Sequence, residues 1–303
     1  MLAPRVSLVI ATYRRPALLA RALASLAGQG EALAKVIVID NGREDATAVV
    51  LARSPVPAEL ITPAENLGTA GGIAAGMRAF LADPAATHLW VLDDDALAEP
   101  GALAAMLAAA STAGADAVAA MVTDSANLVT WFPGPLPQPA WDVIRARVTP
   151  QDFVARCGPA PLRWNWATWG SLLVSRRAIL AVGLPDEALW YQGSDIDYTL
   201  RLSQRFTCVL APRAVCPHLP PGDNPARRRA KEFWGLQNGA LIAVRRRYGW
   251  RALRHVPGNH VRYWLSHGKT FRAAAESWRA FWCGAGLGRP VPLSEYASPS
   301  VTP

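Results

Sequence analysis

Cysteine is scarce: Cys157, Cys208, Cys216 and Cys283 are the four in 303 residues, and no two of them form a CxxC pair. That argues against a disulfide framework or a cysteine zinc site and leaves reduced, mostly structural thiols. Charged residues are few as well, at 18% against 51% apolar, yet no apolar run resembles a membrane span. The longest alanine-rich stretch, residues 101–121, is broken by Ser111, Gly114 and Asp116, and alanine adds little to insertion. Missing too is the charged, apolar and small-residue series of a signal peptide, because a strand-like run begins almost at once. The expectation is a soluble or peripheral cytoplasmic protein.

Net positive charge is absent from most of the chain and concentrated at its end. Residues 221–303 hold 12 Arg and 2 Lys against 4 acidic side chains, whereas the whole chain is +8, so the first 220 residues are net −2. A division follows: residues 1–220 as the main domain and residues 221–303 as an Arg-rich, mainly helical region. Such a basic patch suits an anionic surface, whether lipid headgroups, a diphosphate-linked acceptor or nucleic acid. Within it Arg227, Arg228, Arg229, Arg245, Arg246, Arg247 and Arg251 alternate with Phe233, Trp234, Tyr248 and Trp250. That is the pattern of an interfacial helix, or equally of a solvated basic helix packed by its aromatic face.

What is present is a strand–helix alternation. Residues 6–10 form an apolar, β-rich run, and Pro16 then sits where the first turn of a helix accepts it. Leu18, Leu19, Ala22, Leu23 and Leu26 recur at helical spacing. Further strands are predicted at residues 36–39, 60–61, 88–92, 117–122, 164–174 and 209–215, and helices at 73–81, 100–110 and 197–204. Short apolar strands between helices argue for an α/β fold with a mostly parallel sheet covered on both faces. Seven prolines between residues 133 and 161 predict an irregular excursion there.

Five constellations could carry chemistry. Asp93, Asp94 and Asp95 directly follow the strand at residues 88–92, at the carboxyl end where open α/β sheets bind ligands. Asp93 and Asp95, two apart, point to the same side of an extended chain and can converge on a divalent cation such as Mn²⁺ or Mg²⁺; the alternative is a solvated acidic turn. Asp40 ends the second strand, where it could meet a nucleotide or simply close an Asx-turn with Asn41 and Gly42. The glycine-rich stretch from Asn66 through Gly72 to Gly76 could bring backbone N–H groups to a phosphate or sugar, although close helix–sheet packing explains Gly72 and Gly76 equally. Asp195 and Asp197 lie at a helix start. Capping accounts for an acid there, and Asp195 also suits a general base. Trp164, Trp166, Trp169 and Trp190 gather before that pair and could offer a face to a sugar.

Taken together, residues 6–15, 38–42, 66–73 and 92–95, the Gly170–Ser171 pair, residues 194–197 and His218 resemble the family 2 glycosyltransferases, over roughly residues 5–248. The sequence from Asn66 to Gly72 and the triple Asp look most like the bacterial galactofuranosyl- and rhamnosyltransferase branch. The resemblance implies a GT-A fold, Rossmann-like, with a C-terminal helical extension. It implies that Thr12 and Asp40 hold the nucleotide of the donor with Asn66, Gly72 and Asp94, and that Arg14 lies near its phosphates. Asp93 and Asp95 then correspond to the metal motif, His218 to a further metal ligand and Asp195 to the catalytic base; Trp169, Gly170 and Asp197 border the acceptor. Two departures stand out: the family often has two acids where this chain has Ser194 and Asp195, and its Arg–Asn pair appears here as Gln237 and Asn238.

The expected activity is an inverting, metal-dependent transfer from a nucleotide-sugar to a hydroxyl of a cell-envelope glycan or lipid-linked acceptor. UDP-galactofuranose is the first choice of donor and dTDP-rhamnose the second. A nucleotidyltransferase, or a binding module for nucleotide-sugars or nucleic acid, is the alternative. Nucleic acid is disfavoured because the acidic cluster repels phosphate without a metal.

Overall fold

A computed structural model describes residues 3–220, 260–261, 263–265 and 268–285. The chain divides into two compact units, residues 1–190 with 194–221, and residues 191–193 with 222–303. The Arg-rich segment at residues 227–251 lies outside the described residues, and so does its expected interfacial helix.

In chain order the first unit runs β1 (Val6–Thr12), α1 (Pro16–Ala24), β2 (Leu33–Asp40), α2 (Asp45–Leu51), β3 (Ala58–Ile61), α3 (Gly68–Ala82), β4 (His88–Leu92), α4 (Ala102–Ala113) and β5 (Ala117–Thr123). There follow β6 (Val129–Thr130), α5 (Ala140–Arg145), α6 (Pro150–Cys157), β7 (Leu162–Arg163), β8 (Ser171–Ser175), α7 (Arg176–Val182), α8 (Ser194–Ser203) and β9 (Cys208–Pro217). The strands form one sheet in the order β3-β2-β1-β4-β8-β5-β9-β7, with β6 beside β5. β3, β2, β1 and β4 are parallel, as are β5 and β9. β8 runs antiparallel between β4 and β5.

The period-2 alternation of the strands assigns their side chains to two cores. Val9, Ile37, Ile39 and Val91 join Ile73, Met77 and Phe80 of α3 on one face. Leu8, Ile10, Val36, Val38 and Trp90 meet Leu19 and Leu23 of α1 and Leu103 and Met106 of α4 on the other. Both faces are therefore covered, which is why these strands read as unbroken apolar runs.

Several local expectations change. The proline-rich stretch is not irregular throughout: Pro150 occupies the first turn of α6, and the Thr149 hydroxyl caps that helix by accepting from Asp152 N. α3 begins five residues earlier than its apolar run, at Gly68, because its glycines let the helix lie against the sheet. The expected strand at 164–174 shrinks to β8, and residues 164–170 instead bring Trp166 into a bridge with Gly134. α2 and α7, two helices of seven residues each, were not legible.

Gly76 shows how tight the α3 contact is, since a Cβ there would lie 2.4 Å from Val9 Cγ1 and 2.8 Å from Cγ2. Gly76→Ala gains helix propensity of about 1 kcal/mol, but the overlap with a fixed strand should leave it destabilised by roughly 1–3 kcal/mol in urea denaturation. In the double variant, Val9→Ala removes the opposing methyls. Its loss should be smaller than the sum of the two singles, and additive losses would place the strain elsewhere.

Candidate active site and metal-binding cluster

The carboxyl ends of β1, β2 and β4 meet at one edge of the sheet, with Thr12 in register with Asp40. From β4 the chain continues as Asp93, Asp94 and Asp95, and each carboxylate finds a different environment. Asp94 turns back toward β1, where its Oδ2 accepts from Thr12 Oγ1 at 2.7 Å. Arg15 reaches in from the cap position of α1, and its Nη1 lies 2.8 Å from both Asp94 Oδ1 and Asp95 Oδ2. On the other side His218 Nε2 lies 2.9 Å from Asp95 Oδ1.

His218 arrives from far along the chain because the acidic loop is stitched to the end of β9. Ala96 and His218 form an antiparallel bridge. Leu97 N donates to Pro217 O at 2.8 Å, Leu219 N to Asp95 O at 2.7 Å, and His218 N to Thr123 O at 2.7 Å. Asp93, Asp95 and His218 consequently present three ligand atoms within 4.8 Å of one another. Two carboxylate oxygens and an imidazole fit Mn²⁺ or Mg²⁺ in kind.

The electrostatics favour a cation there. Burial, then the negative charge of Asp95, pushes the Asp93 carboxyl up to about 7; His218 opposes the rise, and Asp94 and Asp195 add to it. Burial also raises Asp94, with Arg15 pulling against it. Asp95 moves the other way: burial would raise it, but the hydrogen bond and charge of His218 together with Arg15 hold it below the usual carboxylate range.

Asp195 opens α8 beside this cluster. Its Oδ1 accepts from Ile196 N at 2.8 Å. Two contacts fix the helix start: Trp169 Nε1 donates to Ser194 Oγ at 3.1 Å, and Thr199 Oγ1 accepts from Ala167 N at 3.0 Å while donating to Asp195 O at 2.7 Å. Trp169 is buried against Tyr198, ring centroids 5.3 Å apart, so it seats Asp195 from within. Gly170 is buried too, and a Cβ on it would come within 3.2 Å of Val122.

Other predicted positions take structural duties. Asp197, expected to border the acceptor, is 0% exposed. It accepts from Arg201 Nε at 3.0 Å, and that guanidinium also donates to Val182 O and Leu184 O after α7. Asp40 accepts from the backbone N–H groups of Gly42, Arg43 and Glu44, closing its own turn. Gly72 faces Ala11 and Asn41 at distances a Cβ would make too short, so packing accounts for it. Asn66 Oδ1 accepts from Gly68 N, whose φ of +66° and contact with Trp190 leave no room for a side chain. Arg14 sits with its guanidinium 5.3 Å from the Tyr13 ring; Arg15 is the arginine that reaches the acids.

Arg15 and Trp131 were missed. Sequence shows an Arg14–Arg15 pair but not which one turns inward. Trp131 holds a positive φ of +44° and lays its ring 4.1 Å from that of His218. Nothing local in the sequence signals that contact.

The profile of Glycosyl transferase family 2 matches residues 7–160. The chain is 28% identical over 197 residues to galactofuranosyltransferase GlfT1 of Mycobacterium tuberculosis, covering 64% of this chain and 63% of that protein. It is 29% identical over 203 residues to GlfT1 of Mycolicibacterium smegmatis, 65% of each. The chain thus spans just under two thirds of the length of these curated relatives. Similar solved structures include the mannosyltransferase PcManGT from Pyrobaculum calidifontis in complex with GDP-Man and Mn²⁺, with TM-score 0.57 and 18% identity over 95% of this chain and 77% of that one. S. aureus TarS gives TM-score 0.60 at 12% identity over 94% and 83% of the two chains. The shared fold is GT-A.

A proton and a cation compete for Asp93. With a carboxyl at about 7 in the folded protein against 3.8 ordinarily, the metal-free fold holds a proton that the unfolded chain releases. Its stability should therefore fall as pH rises from about 4 through about 7 and level off above. Mn²⁺ affinity should move the opposite way, rising between about pH 6 and pH 8, with close to one proton released per ion at the lower end. Calorimetric titration in two buffers of different ionisation heat measures both. An affinity independent of pH, with no proton released, would remove Asp93 from the ligand set.

Proposed function

Because the chain belongs to glycosyl transferase family 2, we propose that it moves galactofuranose from UDP-galactofuranose to an acceptor hydroxyl with inversion at the anomeric carbon. The observation that carries this proposal is the pairing of a cation-binding trio with a separately seated carboxylate, Asp195, close enough for its charge to act on Asp93. Support for the sugar comes from the GlfT1 relatives, and dTDP-rhamnose is the second choice of donor. The acceptor is a cell-envelope glycan or a lipid-linked precursor.

Asp195 accepts the proton of the acceptor hydroxyl as that oxygen attacks the anomeric carbon. In the same displacement the bond from that carbon to the diphosphate oxygen breaks, so the nucleoside diphosphate leaves from the opposite face. Asp93, Asp95 and His218 would hold a divalent cation, which when bound would supply charge neutralisation for that leaving group. Thr12 keeps Asp94 folded under β1, which leaves Asp93 and Asp95 to face the donor. Arg15 bridges Asp94 and Asp95, and Arg14 meets the phosphates of the donor. Asp40 and Asn66 shape the two turns that border the nucleotide, and Trp169 fixes the height of Asp195.

Asp195→Asn keeps the size and hydrogen-bonding capacity of the side chain but removes the base. Turnover should fall roughly a hundredfold to ten-thousandfold, while UDP binding with Mn²⁺ stays near wild type by calorimetry. Substantial turnover in the variant would exclude Asp195 as base. Asp93→Ala with Asp95→Ala should abolish metal-dependent UDP binding in a protein that still melts cooperatively. If neither UDP nor dTDP binds the wild type with metal present, the donor assignment is wrong.

A further inference from the structure

In the second unit the helix Phe271–Ala285, labelled α9, turns its apolar side outward. Its buried positions are small: Ala273, Ser277 and Ala280. Its exposed positions include Phe271 at 90%, Trp278 at 52% and Trp282 at 45%. With Ala275, these residues recur at helical spacing along one face. Residues just before the helix extend the apolar surface, since Val261 is 54%, Leu265 50% and Trp264 36% exposed. A contiguous exposed aromatic surface of this kind marks a docking site.

The cluster is also built in advance. The Trp278 and Trp282 rings lie nearly parallel, 6.4 Å apart at 26°, and Phe281 stands edge-on to both. His260 stacks on Trp278 at 5.0 Å and 18°. His260 is buried, and among the described residues neither of its ring nitrogens has a hydrogen-bond partner. Burial holds it below its ordinary pKa, so the support beneath Trp278 is uncharged.

We infer that this face docks the protein on an anionic lipid bilayer. Indole rings favour the water–hydrocarbon boundary, where the apolar body is covered and the N–H stays wet. Phe271–Ala285 has 15 residues, short of the roughly 20 that a span requires, and no described helix is long and apolar enough to cross a membrane. The helix therefore lies in the interface. Charge selects the partner: Arg272 and Arg279 flank the aromatic face, and residues 221–303 carry 12 Arg and 2 Lys against 4 acids. Two such regions would repel each other, whereas phosphate headgroups attract them.

The test is flotation of the full chain with vesicles of equal parts phosphatidylglycerol and phosphatidylcholine, against vesicles of phosphatidylcholine alone. Binding should be strong to the mixed vesicles and weak to the neutral ones. Trp278→Ser with Trp282→Ser should weaken it by about tenfold or more, although every Arg and Lys remains. Brominated lipid in the mixed vesicles should quench tryptophan fluorescence in the wild type and less so in the double variant. Unchanged melting shows that the variant is folded. Absence of vesicle binding overturns the inference. So does binding that the double variant retains in full, which assigns attraction to charge alone. A third contrary outcome is a dimer in sedimentation equilibrium that the double variant dissolves without vesicle binding, which assigns the face to a second copy.

Discussion

Three adjacent carboxylates at the end of a buried strand repel one another, and the architecture of the first unit answers that repulsion one group at a time. Asp94 is folded back onto Thr12 and Arg15. Asp95 is shared between Arg15 and His218. Asp93 is left with its burial and the charges of Asp95, Asp94 and Asp195, opposed by His218, and its carboxyl rises to about 7. Each solution draws on a distant part of the chain. The α1 start must abut the loop after β4, and β9 must end beside the same loop. If the hydrogen bonds from Leu97 N to Pro217 O and from Leu219 N to Asp95 O were lost, His218 would no longer be held at Asp95.

Neutralising a site this way differs from leaving it acidic. A cluster with all three charges exposed would bind cations loosely and in many geometries. Here Asp94 and Asp95 are held by Thr12, Arg15 and His218, whereas the raised Asp93 carboxyl is the one whose proton a bound cation would displace. The same economy of roles divides residues 194–197. Ser194 is the anchor for Trp169, and Asp195 is the proposed base. Asp197 closes an internal ion pair with Arg201 that ties α8 to the chain following α7. Two acids two residues apart thus do unrelated work, because a helix, unlike a strand, turns positions i and i+2 to different sides.

Much of the fold was legible because buried parallel strands must be apolar on both faces. The runs at β1, β2, β4 and β5 could hardly be anything else. The carboxyl-end location of Asp93 to Asp95 followed from the same pattern. What stayed hidden were features set by tertiary contact. Gly71 and Gly72 read as a glycine-rich entry to a helix expected from residue 73, yet they belong to α3 together with Gly76, and at Gly72 and Gly76 small size matters more than helix propensity. Proline density hid α5 and α6, since a proline that opens a helix looks like one that breaks it until its position is known. Arg15 was hidden behind Arg14 for a further reason. Local sequence fixes that two arginines precede Pro16, but only the packing of β4 against β1 decides which of them meets the acids. Trp131 over His218 joins residues whose meeting depends on the β5–β9 pairing.

The uneven charge of the chain ties its two regions to a single electrostatic problem. The first 220 residues are net −2 and gather carboxylates where an anionic donor would sit, while residues 221–303 are net +10. At physiological salt the field of an exposed charge decays over about 8 Å, so such a charge acts mainly on its immediate surroundings. In the first unit Arg15 lies against Asp94 and Asp95; in the second, Arg272 and Arg279 share a helix with Phe271, Trp278 and Trp282, where the proposed bilayer docking would draw on them. On the proposed reading, the uneven net charge matches a chain that holds a cation at one site and faces anions at another: acids gather at Asp93, Asp94 and Asp95, whereas the net positive charge falls in residues 221–303.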